Sequence, residues 1–83
     1  MSADSGEGRS RLIVGTKQLL KSIEREEIRE IIVARDAESR VTGSLIEAAR
    51  QKGLQIRFVE TMEELGRSCG IQVGAAAAGE RKP

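Results

Sequence analysis

The segment Gly15-Thr16-Lys17-Gln18-Leu19-Leu20-Lys21 holds the residue types that could do chemistry. Gly15 lacks a Cβ, so the backbone there can come close to a ligand. A helix starting just after it would present unpaired N–H groups and a partial positive charge, an arrangement suited to phosphate. Lys17 and Lys21 are spaced i, i+4 and fall on one stripe, with Gln18 beside them. A lysine can donate to guanine O6/N7 or to phosphate, and an amide can pair with a base edge. Leu19, Leu20 and Ile23 point the other way. The plainer alternative is an ordinary capped helix with a lysine-rich exposed face. The segment is not a P-loop, because the G-x-x-x-x-G-K-[ST] spacing is missing.

The other candidates are weaker. Asp36 and Glu38 follow an apolar run, where ligands of α/β sheets often sit, though a cap-and-loop role explains them as well. Cys69 lies late in a helical stretch on its apolar stripe, far from any feature that would lower its pKa, so a core thiol is expected. The neighbouring pairs Glu26/Glu27 and Glu63/Glu64 do not face each other on a helix, which argues against paired acid–base work.

Composition removes most other chemistry. The chain of 83 residues has no His, one Cys, one Phe, and neither Tyr nor Trp. Without His there is no neutral-pH acid/base of the usual kind, no His–Cys nucleophile pair and no histidine zinc site. One cysteine makes no disulfide framework, which fits a reducing compartment. Near-absence of aromatics argues against single-strand recognition by ring stacking. No apolar run approaches the roughly 20 residues needed to span a bilayer, and the first residues do not read as a signal peptide. Net charge is only +1, from 14 basic and 13 acidic residues, but its distribution is uneven. Arg9, Arg11, Lys17 and Lys21 run without an acid, and Glu24, Glu26, Glu27 and Glu30 then outnumber Arg25 and Arg29. A local cationic patch on a near-neutral chain suggests a placed anion contact.

Several elements must position these residues. Residues 1–8 read as a disordered leader, 9–78 as a single α/β domain, and 79–83 as a frayed tail. Leu12-Ile13-Val14 is a short strand stopped by Gly15, with Thr16 as N-cap of a helix over 17–26. Ile31-Ile32-Val33-Ala34 is continuously apolar, as expected of a strand covered on both faces. Asp36 and Ser39 can cap the next helix, whose stripe is Val41, Leu45, Ala48 and Ala49, with Gly53 as its stop. Ile56–Val59 is a third strand. Thr61-Met62-Glu63-Glu64 is a capping box that opens a helix with Met62, Leu65 and Cys69 facing inward. Residues 71–78 form a last strand, with Gly74 interrupting it. The order β-α-β-α-β-α-β predicts a three-layer α-β-α sandwich around a small mixed sheet of about four strands. The alanine-rich closing strand should be marginal, because Ala buries little area.

Three stretches in order resemble a known family. They are Val14-Gly15-Thr16-Lys17-Gln18-Leu19-Leu20-Lys21, then Ile32-Val33-Ala34-Arg35-Asp36-Ala37, then residues 65–78 from Leu65-Gly66-Arg67-Ser68-Cys69-Gly70 through Ala78. They resemble the kink-turn-binding ribosomal-protein family of the large subunit, the "seven-Ae" type, and most closely its small bacterial branch. The similarity spans about residues 9–78. It implies an α-β-α sandwich that binds a duplex carrying a three-nucleotide bulge beside tandem sheared G·A pairs.

Carried over by position, Gly15 and Thr16 approach the RNA backbone. Lys17 and Gln18 sit at the G·A pairs, and Lys21 contacts backbone or guanine. Asp36 and Glu38 lie near the extruded bulge nucleotide, and Ile71, Gln72, Val73 and Gly74 flank it on the other side. Archaeal and eukaryotic members carry Asn-Glu where this chain has Lys17-Gln18. A carboxylate accepts from guanine N–H groups directly, while Gln must present its oxygen correctly.

The expected function is therefore non-enzymatic binding of kink-turn RNA in the bacterial cytoplasm, ribosome-associated, with the protein a monomer. No cofactor, metal or membrane is implied. Ribosomal RNA, a riboswitch and a ribonuclease RNA are all candidate targets. The alternative is a protein-interaction module of the same fold without specific RNA binding.

Overall fold

The computed structural model describes residues 12–82, whose elements alternate strand and helix. They are β1 (Leu12–Val14), α1 (Thr16–Glu24), β2 (Ile28–Ala34), α2 (Ser39–Gln51), β3 (Gln55–Val59), α3 (Met62–Ser68) and β4 (Ala77–Arg81). The expected leader at 1–8 lies outside the described residues, as does Pro83. The strands form one mixed sheet in the order β1-β4-β2-β3. β4 is antiparallel to both of its neighbours, and β2 is parallel to β3. The predicted order of elements and the mixed four-stranded sheet are both present.

The two faces of the sheet are covered unequally. On one, α1 and α2 pack over Ile28, Ile31, Val33 and Ala77 and bury Leu19, Ile23, Leu45 and Ala49. On the other, the short α3 covers Ile32, Ala34, Ala75 and Ala78 with Leu65, while Met62 and Cys69 pack partly buried alongside. β2 explains its continuous apolarity in this way: Ile31 and Val33 face the two-helix side, and Ile32 and Ala34 face the one-helix side. Past the reach of α3, Glu30 of β2 is buried on the one-helix side and accepts from Arg57 Nε at 2.7 Å.

The chain's end departs from expectation. Residues 71–76 are irregular, and the last strand starts at Ala77. The expected frayed tail at 79–83 is corrected over Gly79, Glu80 and Arg81, which belong to β4. Lys82 then donates its backbone N–H to the Glu27 carbonyl at 2.8 Å. β4 lies inside the sheet, paired on both sides. Its small residues have a steric reason. A Cβ added at Gly79 would run into Leu19 Cδ1, so Gly79 is what lets α1 lie close on the sheet. Ala77 and Ala78 are buried beneath the helices on the two faces.

Helix ends also differ from the local forecast. Gly15, not Thr16, is the N-cap of α1, and that helix ends at Glu24. After it, Glu26 takes φ 62°. Its N–H donates to Ile23 O at 2.9 Å, and that of Glu27 to Ser22 O at 3.0 Å, the paired bonds that close a helix through a left-handed residue. Neither Asp36 nor Ser39 caps α2, whose N-cap is Glu38. Asp36 instead crosses the molecule: its Oδ1 accepts from the Met62 backbone N–H at 2.8 Å, at the start of α3.

Candidate nucleic-acid interface

The sheet order brings the predicted site residues to one end of the molecule. β1, β2 and β3 run in the same direction, so the segments following Val14, Ala34 and Val59 emerge together. The segment before β4 meets them there, where Ala34 N donates to Ala76 O at 2.9 Å and Arg35 N to Val59 O at 2.8 Å. Gly15, Thr16 and Lys17, Asp36 and Glu38, and residues 71–74 thus share this end. Lys21 lies one turn further along α1, about 6 Å from Lys17 at the usual helical rise.

α1 is built to present its polar edge. Gly15 adopts φ 111° and ψ 121°, a backbone that an L side chain rarely takes. Having no side chain, it cannot cap the helix, and the first turn of α1 holds no acid. The first N–H groups are therefore left facing the sheet end with their positive dipole uncompensated. The apolar side of α1 is fixed by Leu19 and Ile23, both fully buried. Lys17, Gln18 and Lys21 are exposed opposite them, and Thr16 is half-buried.

Charge pairing leaves this edge open, as it also leaves Arg25, Arg50 and Lys82 among the described residues. Arg29, Arg35, Arg40, Lys52, Arg57 and Arg67 each pair with a glutamate. Neither Lys17 nor Lys21 has an acidic partner among the described residues. Two cations, an exposed amide and uncapped N–H groups are what a phosphate backbone and a base edge require.

The remaining candidates occupy two loops. Asp36 and Glu38 are both exposed, but Asp36 already has a structural bond to α3, so only part of its carboxylate is free for a ligand. The 71–74 loop is held from below. Ile71 N donates to Gly66 O at 3.0 Å, and Ala75 N to Met62 O at 3.0 Å. The loop lies so close to α3 that a Cβ at Gly66 would collide with the Val73 carbonyl oxygen. Ile71 and Val73 nonetheless project outward, Val73 being 70% exposed. An apolar side chain held open beside a polar loop can pack on a base face. Cys69 sits beneath this loop against the small core, and burial pushes its thiol pKa up, which favours an unreactive thiol.

One site feature has no signal in the sequence. Arg40, in the first turn of α2, shares a cleft with Thr16 and Lys17 of α1. Nothing local to Arg40 signals this, because the pairing depends on how α2 packs beside α1. Glu38 takes the N-cap position of α2, in keeping with a cap-and-loop role, but makes no side-chain cap bond.

Comparison with known proteins bears on the fold and the family. A family model described as the Ribosomal protein L7Ae/L30e/S12e/Gadd45 family matches residues 6–83. An "RNA-binding protein" of Bacillus pumilus (strain SAFR-032) is 44% identical over 77 residues, covering 93% of this chain and 94% of that one. The "Large ribosomal subunit protein eL8" of Halobacterium salinarum is 42% identical over 65 residues, covering 77% of this chain and 54% of that protein. Among solved structures, the Giardia lamblia 15.5kD RNA binding protein superposes with a TM-score of 0.83 at 28% identity, covering 93% of this chain and 67% of that one.

Proposed function

The chain belongs to the L7Ae/L30e/S12e/Gadd45 ribosomal protein family, and from that premise we propose that it binds RNA, recognising the kink-turn and stabilising its bent form. The observation that carries this is the open edge of α1. Its uncapped first turn follows a glycine at φ 111°, and the exposed Lys17 and Lys21 have no acidic partner among the described residues. Backbone N–H groups at residues 15–17 capture a phosphate. Gln18 meets a base edge at the tandem G·A pairs, and Lys17 and Lys21 add contacts that weaken with salt. Asp36 and Glu38 on one side, and Ile71, Gln72, Val73 and Gly74 on the other, clasp the extruded nucleotide.

The mechanism is conformer selection. The kinked RNA presents its G·A pairs and extruded base together, and the extended RNA does not. The protein therefore binds the kinked state more tightly and shifts the equilibrium toward it by the difference in affinity. No step needs a nucleophile, cofactor or metal. The relatives named RNA-binding protein and ribosomal subunit protein support an RNA partner; a ribosome-associated role, the cytoplasm and a monomeric state are further parts of the proposal.

Titration at fixed salt against two RNAs tests the proposal. One is a kink-turn duplex, and in the other its tandem G·A pairs are replaced by Watson–Crick pairs. A loss of at least about tenfold, about 1.4 kcal/mol, is expected with the second. Equal weak binding to both would overturn it and favour a protein-interaction module. Lys21→Ala is expected to weaken binding to the first RNA and lower the salt slope by about one unit. An unchanged slope removes Lys21 from the interface.

A further inference from the structure

Beside the edge of α1 lies a cleft of about 230 Å³ between α1 and α2, lined by Thr16, Lys17, Leu20, Arg40, Val41, Ser44 and Leu45. Its apolar lining is Leu20, Val41 and Leu45. Lys17 stands on one bank and Arg40 on the other, with hydroxyls at Thr16 and Ser44. Each bank thus carries a cation and a hydroxyl, and no carboxylate among the described residues lines the cleft. Arg40 is bound to little else. Its Nε lies 3.6 Å from Glu38 Oε1, with both side chains mostly exposed, an arrangement that contributes little in water.

We propose that this cleft is a second RNA contact, in which Lys17 and Arg40 hold the phosphate backbone of the stem flanking the G·A pairs. The inference rests on the kink-turn reading above, because the cleft shares Thr16 and Lys17 with the α1 edge and is continuous with it. Charge selects the occupant: cations on both banks without a carboxylate between them suit a polyanion that runs past α1. The planar guanidinium of Arg40 can donate two parallel hydrogen bonds to a phosphate, while Lys17 acts as a point charge. Ser44 donates a further hydrogen bond. Contact through phosphates adds affinity and fixes orientation without reading sequence. Arg40 should therefore matter equally for kink-turns that differ in stem sequence.

The test uses the full chain with Arg40→Gln and Ser44→Glu, titrated over a salt series against the G·A RNA and its Watson–Crick counterpart. Both positions are exposed on α2, and thermal melts confirm that each variant folds. Arg40→Gln is expected to weaken binding about three- to tenfold near physiological salt and to lower the salt slope by about one. Ser44→Glu places a carboxylate in the cleft and is expected to cost at least tenfold. The ratio between the two RNAs should stay at its wild-type value in both variants. If the wild type discriminates the RNAs but both variants keep its affinity and slope, the cleft is not an RNA contact and only this inference fails. If the wild type does not discriminate, the kink-turn reading itself fails, and this inference with it.

Discussion

The two faces of the sheet are different kinds of support, and the candidate interface takes one half from each. On the two-helix face, Leu19, Ile23, Ile31 and Leu45 are almost completely buried, and α1 lies against Gly79. Both helices there begin without a side-chain cap and without an acid in the first turn. On the one-helix face the core is mostly alanine, with Ile32 and Leu65, under a helix of seven residues. That helix is closed at its start: Thr61 Oγ1 accepts from Glu64 N at 3.0 Å, and Glu63 and Glu64 stand in its first turn. Open, cation-bearing helix ends thus lie over the deep core, while the loop that carries Ile71 and Val73 lies over the thin one. A rigid edge suits selection of a fixed G·A geometry, and a less deeply anchored loop suits a nucleotide that must first swing out of the stack.

Paired truncations would break this contrast most directly. Leu19→Ala should cost about 4 kcal/mol, because the cavity is enclosed by α1, α2 and the sheet and cannot collapse. Leu65→Ala should cost about 2.5 kcal/mol, since the short α3 can settle into the space. Denaturant unfolding gives both values, and equal costs would remove the distinction between the faces. Gly66→Ala should be next, at about 1–3 kcal/mol, as its Cβ pushes on the Val73 carbonyl and displaces the loop. It should also weaken RNA binding more than its stability loss alone accounts for, whereas full affinity would show that the loop's position is immaterial.

The smallest effect comes from Cys69. Burial raises its thiol pKa in the folded chain, so the neutral thiol is favoured by folding. This contribution is complete below the ordinary thiol value of about 8.5 and is lost as pH rises through the folded value. Stability should thus decline slightly above about pH 8.5 in the wild type and not in Cys69→Ser. Thiol labelling under native conditions should run faster than global unfolding allows, because Cys69 is only partly buried on the thin face. Labelling only at the global rate would contradict that partial exposure.

Most of the fold was legible because its signals are local. The spacing of Leu19 and Ile23, the doubly apolar β2 and the capping box at Thr61 each gave an element near its true place. The exposed stripe of Lys17, Gln18 and Lys21 followed from the same helical spacing. What escaped depends on contacts between distant residues. Residues 71–81 contain glycine and alanine with no period to read. Strand begins at Ala77 there because Leu19 fills the space above Gly79 and β1 and β2 pair on either side. Asp36 looked like a cap for the helix next to it and instead serves α3, 26 residues away. Arg40 became part of the site only once α2 was seen beside α1.

Selection of bent RNA by the edge of α1 can be observed directly. The direct measurement is fluorescence energy transfer between dyes on the two stem ends of a kink-turn duplex, titrated with protein without magnesium. Transfer should rise to saturation with protein, and the Watson–Crick RNA should show no rise at the same concentrations. Saturable binding to the G·A duplex with no change in transfer would contradict it.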